Sequence, residues 1–511
     1  MKRIAVLSLA LALGCIHRVE RRVVPADQAA TLDGKSAYLK AHLKNGYVYL
    51  LSGWHADSGG RVISGTGQLL DVNRTVVSSG DFRFPSDSVA LFETNVVKQS
   101  GATSALTVMA GVTAIVAGIC AANPKTCFGS CPTFYAADSS GRFVLQAEGF
   151  SASIAPALEA TDVDMLYASR PLRRDFTVHV TNEALETHVI RRANLLVLPR
   201  PMGGRVFATP DGRYFQSTRL ATPTSCSAAE GDCRAALAQV DGVERFSRSD
   251  SVDLGTRETI DLEFDSVPPG RVGLVVASRQ TLLTTYLLYQ TLAYLGADAG
   301  TLLASLESGG PALRRRVSGI QDLLGRIEVM VPGAEGEWVP VGSTGETGPI
   351  AVDTKVVPLP AATARGPLRV RLRLTRGLWR VDYVALAAFG DSVQPMRIVP
   401  TVVKRGAAID SDATNALTDS TGHRPLTTLP GDAYDIVYRL PAHPERYELF
   451  LESRGYYLEW LRREWLPEAD PLKAARMAFD PSGMLRELAP QFKAVEPSLE
   501  HLFWSSRYVR H

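Results

Sequence analysis

Apolar and polar residues alternate with a period of two along much of the chain, which is the pattern of half-buried β-strands. Two runs show it most clearly, because one carries an acidic residue and the other an arginine at every second position. These residues are Asp261, Glu263 and Asp265 in the first run and Arg369, Arg371 and Arg373 in the second. We expect both strands to share one β-sandwich, with their apolar sides in its core and their charged sides toward water. If the strands are neighbours, opposite charges should pair between them.

The whole chain is predicted to have a mainly β fold: a small N-terminal β domain, an apolar helix, antiparallel β-sandwich domains with a helical insertion, and short C-terminal helices. The predicted segments are a signal at 1–15, a polar tether at 16–35, a small antiparallel β domain at 36–98, an apolar helix at 103–122, a β domain at 127–265, a β-sandwich at 266–390 with a helical insertion at 279–308, and β hairpins with C-terminal helices at 391–511. In the last segment, residues 453–455 predict a hairpin turn, and Pro471, Pro481 and Pro497 predict helix starts.

Residues 99–124 form an uncharged stretch. Its small residues recur at every fourth position, the spacing that lets two helices approach closely in lipid. They are Ala110, Ala114, Gly118 and Ala122. Because much of 103–122 is Ala, Gly and Thr, a helix buried against the protein or lying at a membrane surface is favoured, and a membrane span is the alternative.

The first fifteen residues have the form of an export signal, with Lys2 and Arg3 ahead of a short apolar stretch. The stretch ends in Leu-Ala-Leu-Gly-Cys, which resembles the lipobox of bacterial lipoproteins. This resemblance implies that Cys15 is acylated and anchors the chain in the membrane. Ile16, in place of an inner-membrane retention Asp, favours an outer-membrane lipoprotein facing the periplasm or the cell surface. The alternative is an ordinary secretory signal with an incidental Cys.

Export places the remaining cysteines in an oxidising compartment, where pairs usually form structural disulfides. Cys226 and Cys233 bracket a short loop and are expected to pair. Cys127 and Cys131 are expected to form a second local bridge, with Cys120 as an alternative partner. Their C-x-x-x-C spacing also resembles the copper site of thiol-type assembly factors, but no βαβ pattern surrounds it, so a bridge is favoured.

Composition narrows the function classes. The 55 Lys and Arg residues nearly balance the 53 Asp and Glu residues, giving a net charge of +2 with no long run of one sign, so nucleic-acid binding is not expected. Neither a cofactor nor a metal is expected, because the nine His residues lack zinc-ligand spacing. Asp162 and Asp164 have the oxygen ligands that calcium prefers but no third acidic residue at loop spacing, which favours a solvated turn.

Three segments carry a resemblance to a known family. They are residues 127–135 (Cys-Phe-Gly-Ser-Cys-Pro-Thr-Phe-Tyr), residues 176–199 with Thr-Asn-Glu and Leu-Leu-Val-Leu, and residues 377–383 (Gly-Leu-Trp-Arg-Val-Asp-Tyr). They look like segments of an uncharacterised family of bacterial envelope lipoproteins, in which a Cys-Pro segment opens a strand-rich region and later strands resemble carbohydrate-binding β-sandwiches. The resemblance covers about residues 37–400, and it implies fold and location but no assigned activity.

The sequence contains no recognisable nucleophile with its base, metal cluster or pair of placed carboxylates. We therefore favour a non-catalytic envelope lipoprotein, a binding or structural module for an unidentified protein or glycan partner. Tyr456, Tyr457, Trp460 and Trp504 are candidate binding aromatics, although packing of the C-terminal helices on their hairpin is the favoured role of these rings. The alternative function is an envelope polysaccharide hydrolase whose carboxylates meet only in three dimensions.

Overall fold

The structure is a computed structural model. It describes residues 17–36, 38–44, 47–70, 76–99, 131–154, 158–184, 186–296, 319–345, 348–360, 367–419, 421, 424–459 and 468–506. The chain forms two compact units, the first from Met1–Val116, Gly296–Thr301 and Trp460–Ala469, and the second from Ala117–Leu295, Leu302–Glu459 and Asp470–His511. The predicted signal at 1–15 and the predicted apolar helix at 103–122 lie outside the described residues. None of the described helices is both long enough and apolar enough to cross a membrane.

The first unit contains an antiparallel sheet with the strand order β1-β6-β2-β3-β4-β5. Its strands are β1 (His17–Pro25), β2 (Tyr38–Leu43), β3 (Val48–Ala56), β4 (Val62–Leu70), β5 (Val76–Pro85) and β6 (Val89–Gln99). Short 3₁₀ helices span Ala26–Thr31 and Ser86–Ser88. Leu39, Leu51, Ile63 and Phe92 lie in its core. Residues 16–35 were predicted to be a tether, and this is wrong: β1 pairs along its length with β6, and a 3₁₀ helix follows it.

The second unit contains the remaining described strands. They are β7 (Thr133–Ala137), β8 (Phe143–Glu148), β9 (Ala160–Met165), β10 (Asp175–Thr181), β11 (Glu186–Pro199), β12 (Arg205–Ala208), β13 (Tyr214–Ser217), β14 (Leu220–Ala221), β15 (Ser225–Ala228), β16 (Gly231–Asp232), β17 (Arg257–Phe264), β18 (Val272–Gln280), β19 (Ile327–Pro332), β20 (Trp338–Thr344), β21 (Asp353–Pro358), β22 (Leu368–Thr375), β23 (Trp379–Ala388), β24 (Ser392–Val393), β25 (Met396–Ile398), β26 (Val402–Arg405), β27 (Ala408–Ile409), β28 (Leu426–Thr428), β29 (Ala433–Arg439) and β30 (Tyr447–Glu459).

These strands form layered, mainly antiparallel sheets, as predicted for the fold class. Sheet 2 has the order β27-β26-β29-β10-β7-β8, sheet 3 the order β25-β11-β30-β9 with β28 also on β11, sheet 4 the order β14-β23-β18-β21-β12-β13-β24, and sheet 5 the order β16-β15-β17-β22-β19-β20. Sheet 3 is a middle layer: Leu195 and Val197 of β11 belong to the core shared with sheet 2, whereas Leu196 belongs to the core shared with sheet 4. Because successive residues face opposite sides, a strand buried on both faces needs a continuous apolar run.

Helices frame these sheets. They are α1 (Leu283–Leu295), α2 (Gly319–Leu324), α3 (Ser411–Thr418), α4 (Pro471–Phe479) and α5 (Pro481–Ser506), with 3₁₀ helices at Ala235–Leu237 and Pro444–Arg446. Helix α1 falls inside the predicted insertion at 279–308, whose residues from 297 onward lie outside the described part. The Asp470 carboxylate caps α4 by accepting from two backbone N–H groups, as expected before Pro471. Helix α5 passes through Pro497 rather than starting there, which corrects that prediction.

The two runs of alternating charge are neighbouring strands. β17 and β22 pair antiparallel in sheet 5, with Asp261 directly opposite Arg371. Arg371 Nε and Nη2 donate to the two carboxylate oxygens of Asp261 at 2.6 and 2.9 Å. Val370 and Leu372, between the arginines, are fully buried. The predicted alternation and the predicted pairing of opposite charges are therefore both confirmed.

The predicted hairpin at 453–455 is wrong, because β30 runs straight through these residues with β11 on one side and β9 on the other. Gly455 is needed for a close approach, since a Cβ atom there would lie 2.1 Å from the carbonyl oxygen of Val189. Strand pairing also joins segments that were predicted to be separate. β10 pairs with β29, and β17 with β22, so the boundaries after residues 265 and 390 do not divide the second unit.

Candidate binding pocket

Four charged side chains from distant parts of the chain form a closed ring in the second unit. Arg279 on β18 and Arg380 on β23 are direct cross-strand partners, a placement at which two cations repel each other. Glu244, in the segment before β17, and Glu500, on α5, each bind both arginines. We call these four residues the Arg/Glu ring. The two glutamates thus stabilise an otherwise unfavourable pair of arginines.

Within the ring, Arg279 makes short, charge-assisted hydrogen bonds, and the ion pairs of Arg380 are longer. Arg279 donates to the two oxygens of Glu244 at 2.5 and 2.7 Å and to Glu500 Oε1 at 2.8 Å. Arg380 lies 3.3 Å from Glu244 and 3.1 Å from Glu500. Because Glu500 belongs to α5, the ring fixes this helix to sheet 4.

Burial and ion pairing act in opposite directions on the ring. Burial is the largest single influence on the pKa of Arg279 and lowers it, but the hydrogen bonds and charges of Glu244 and Glu500 together raise it by more, so the pKa lies above its ordinary value. For Glu500, burial is the largest single influence and raises the pKa, but the charges of Arg279 and Arg380, together with hydrogen bonds from Arg279 and Trp504, leave this pKa below its ordinary value. Glu500 is therefore ionised near neutral pH and has no proton to donate to a leaving group.

A small pocket opens beside the ring. Its apolar walls include Phe246, Leu282, Phe492 and Leu499, and Arg380 lies at its charged edge. The pocket has a volume of about 110 Å³, which is less than the ~150 Å³ of a cavity that holds benzene. The Arg380 guanidinium carbon lies 3.9 Å from the centroid of the Phe246 ring, so it covers one face of that ring. The pocket has room for one side chain of moderate size.

Arg248 lines the same pocket, is exposed, and makes no ion pair with a described residue. The other charges around it are compensated. The ring holds two arginines and two glutamates, and Lys493 lies 3.1 Å from Glu496, another pocket residue. Glu496 also accepts a hydrogen bond from the Ser249 backbone N–H at 2.7 Å. The charged residues that line the pocket, two arginines and two glutamates, balance one another, and among them Arg248 is the one without an ion-pair partner in the described part of the chain.

A second polar cluster lies in the interior of this unit, around Glu148 at the end of β8. Glu148 Oε2 accepts from the backbone N–H groups of Ile350 and Ala351 at 2.7 and 3.3 Å. Its Oε1 has no hydrogen-bond partner among the residues that the structure describes. Burial raises the pKa of Glu148 to about 7, although the two backbone hydrogen bonds act to lower it. Burial, and then the charge of Glu148, raise the pKa of the Cys131 thiol well above its ordinary value.

The cluster continues through a buried lysine. Lys355 Nζ donates to Asp353 Oδ2 at 2.5 Å and to the Val163 carbonyl at 2.7 Å. Burial, followed by the charge of Asp162, raises the pKa of Asp164 well above its ordinary range. Asp164 is buried on β9, so the predicted solvated turn is wrong. In the described part of the chain, no group of three or more His, Cys, Asp or Glu residues is placed to hold a metal ion.

The four candidate binding aromatics differ in their exposure and position. Tyr456 and Tyr457 are buried on β30, because both faces of this central strand are covered, so neither ring offers a face to a ligand. Trp460 lies outside the described residues. Trp504 on α5 is 38% exposed, and its indole N–H donates to Glu500 Oε1 at 3.2 Å, which places it next to the Arg/Glu ring. Of these residues, only Trp504 keeps a place near a candidate site in the described structure.

The cysteines also differ in outcome. Cys226 and Cys233 form the predicted disulfide, with their Cα atoms 5.2 Å apart. Cys131 is a free, buried thiol, which corrects the predicted bridge to Cys127. Cys131 is buried next to Glu148, and a free buried cysteine packs like a small apolar residue. Cys127 and Cys15, the predicted lipidation site, lie outside the described residues.

Comparison with known proteins identifies no family: no family model and no curated protein matches the chain. Among solved structures, the chain is similar to the crystal structure of BuGH86wt in complex with neoagarooctaose, at 8% sequence identity over 46% of this chain and 34% of that chain, with a TM-score of 0.16. This chain therefore spans about a third of the length of that protein. A TM-score this low carries no argument about fold or function.

Proposed function

We propose that the protein is a non-catalytic binding protein of the bacterial cell envelope, and that the pocket beside the Arg/Glu ring holds part of its partner. The observation that carries the proposal is Arg248, which lines an apolar pocket, is exposed and has no ion-pair partner among the residues that the structure describes. Arginine next to exposed apolar or aromatic surface is the composition typical of binding hot spots. Phe246, 41% exposed on the same loop, supplies such surface.

The pocket geometry favours binding over hydrolysis of a polysaccharide. A glycosidase needs one carboxyl group with a raised pKa and a second carboxylate across the scissile bond. Here Glu244 and Glu500 are held by arginines, and the pKa of Glu500 is lowered. Glu148 has a raised pKa, but it is enclosed in the interior and bound to backbone N–H groups. Neither site combines a free acid with an open pocket.

The envelope location rests on the lipobox-like end of the first fifteen residues and is tested by changing Cys15 to Ser. We expect the variant to leave the membrane fraction, because it lacks the thiol that would carry the lipid. Cys131→Ser is the matched control, since it removes a free thiol of the described structure without touching the signal. Retention of the Cys15 variant in the membrane pellet after a high-salt wash would contradict lipid anchoring.

The binding function is tested by photocrosslinking in intact cells. A benzophenone amino acid at Phe246 should form an adduct of higher mass, because its photoexcited ketone abstracts a hydrogen atom from a C–H bond of a bound protein or glycan and the two resulting radicals join in a C–C bond. The same amino acid at Ile409, which is 64% exposed on β27 and does not line the pocket, is the control position. If both positions give the same adducts, or if Phe246 gives none, the pocket does not hold a partner.

A further inference from the structure

We propose that the partner is a protein, and that it presents to the pocket a large apolar side chain next to an aspartate or glutamate. This inference rests on the proposed binding function and specifies the chemistry of the bound segment. It follows from the size of the pocket, from Arg248, which has no ion-pair partner among the described residues, and from the state of the pocket's polar groups.

Size and walls set the first requirement. The pocket has a volume of about 110 Å³, and Phe246, Leu282, Phe492 and Leu499 are among its apolar walls. One Leu, Ile or Met side chain would fill much of this space and exchange contact with water for contact with carbon. A single anchoring side chain in a preformed pocket is a common arrangement at protein interfaces.

Charge sets the second requirement. Arg248 and Phe246 line the same pocket two positions apart in sequence, so a segment anchored there passes within reach of the Arg248 guanidinium, which no described carboxylate pairs with. A carboxylate can accept two hydrogen bonds from one guanidinium, which makes it the best-matched ligand group. The nearby Glu244 and Glu500 are neutralised by their arginines, so they present no net repulsion to an incoming carboxylate.

The state of the polar groups favours a peptide over a glycan. Sugar hydroxyls need several free hydrogen-bonding groups, and an aromatic platform for a sugar needs an open ring face. Thr281, the hydroxyl residue of the pocket, already donates to the Gly377 carbonyl at 2.7 Å. Arg380 covers one face of the Phe246 ring. An apolar side chain with one acidic neighbour therefore matches the available groups better than a saccharide does.

The test uses the full chain immobilised against a displayed library of random heptapeptides. We expect the enriched peptides to share a large apolar residue next to Asp or Glu. The enriched peptide and its Asp→Asn or Glu→Gln counterpart are then titrated by fluorescence anisotropy against the wild type, Arg248→Gln and Arg219→Gln. Arg219 is a matched control, since it is exposed, makes no ion pair with a described residue and does not line the pocket.

Arg248→Gln should weaken binding of the acidic peptide about tenfold, whereas Arg219→Gln should leave it unchanged. The neutral peptide should bind the wild type about tenfold more weakly, with no further loss in Arg248→Gln, because both changes remove the same contact.

Two results would overturn parts of the proposal. If the enriched peptides carry no acidic residue but lose binding in Phe246→Ala, the acidic class is overturned and the pocket remains a binding site. Oligogalacturonate binding that depends on Arg248, with no peptide enriched, would overturn the protein partner in favour of an acidic glycan. Absence of binding by both probes, together with no crosslink at Phe246, would overturn the proposed function as well.

Discussion

Replacing Glu148 with Gln should remove a defined part of the pH dependence of stability. Glu148 is buried, and its folded-state pKa is about 7, against an ordinary value of 4.5. Between these two pKa values, the folded state holds a proton on Glu148 that the unfolded chain has released. The stabilising contribution of this proton is complete below pH 4.5 and is lost as the pH rises through about 7.

The size of the effect follows from these two pKa values. Between pH 4.5 and about 7, each pH unit lowers the free energy of unfolding by ~1.4 kcal/mol through this group, for a total loss of about 3 kcal/mol. Gln has the shape of a protonated Glu, keeps an oxygen for the Ile350 and Ala351 N–H groups, and cannot ionise. The free energy of unfolding of the variant minus that of the wild type should therefore rise by about 2–3 kcal/mol between pH 5 and pH 8.

The assay is urea unfolding at pH 5, 6, 7 and 8, followed by far-UV circular dichroism and fluorescence and extrapolated linearly to zero urea. Asp382 also has a raised pKa, but its causes do not include Glu148, so its effect cancels in the difference. The raised pKa of Asp164 comes first from burial and the charge of Asp162, with Glu148 its smallest cause, so most of its effect cancels as well. Glu335→Gln, at an exposed carboxyl, is the control and should leave the wild-type profile unchanged. A difference that stays flat or falls with pH would refute the argument that burial controls Glu148.

Three further predictions concern other parts of the chain. A double-mutant cycle on Asp261→Ala and Arg371→Ala should give a coupling free energy of only ~0.5 kcal/mol, because the two side chains are 43% and 27% exposed. The coupling should fall in 1 M NaCl, and a coupling that does not change with salt would contradict this prediction. Without reductant, Cys226→Ser should have a free energy of unfolding ~2.5 kcal/mol below that of the wild type, because it lacks the disulfide. With reductant, the variant and the wild type should differ little, and an equal loss in both conditions would mean that the disulfide is not the cause. Gly348→Ala should destabilise by about 1–3 kcal/mol in thermal unfolding, since its Cβ would lie 2.0 Å from Glu148 Oε1, and an unchanged melting temperature would show that this approach can relax.

Features determined by neighbouring residues could be predicted from the sequence. Alternation of charge and apolar residues is enough to orient β17 and β22, because one shift in register would expose the buried residues Val370 and Leu372. Their pairing with each other was predicted only conditionally, since alternation does not identify the neighbouring strand. The spacing of Cys226 and Cys233 was sufficient for the disulfide, because the loop between them is short.

Features created by contacts between distant segments could not be predicted in the same way. Gly455 was interpreted as a turn residue, yet its role is to admit the Val189 carbonyl, and the sequence does not distinguish a glycine in a turn from one at a close approach. The members of the Arg/Glu ring come from four separate segments and have no common spacing. Phe246 and Arg248, an aromatic and a cation two positions apart in a loop, were the local signal that could have pointed to the pocket.

The position of β30 between β9 and β11 has a consequence for the order in which the chain folds during synthesis. β9 and β11 do not pair with each other: among the described strands of sheet 3, β9 pairs only with β30, whereas β11 pairs with β25, β28 and β30. Asn194 and Glu452, whose side chains bond across β11 and β30, are 258 residues apart. The edges of β9 and β11 that pair with β30 therefore stay unpaired while most of the second unit is synthesised. Pairing between strands so far apart in sequence is slow, and unpaired strand edges promote aggregation. β30 completes sheet 3 late in synthesis, so a nascent chain that stops before residue 447 lacks the strand that joins β9 to β11.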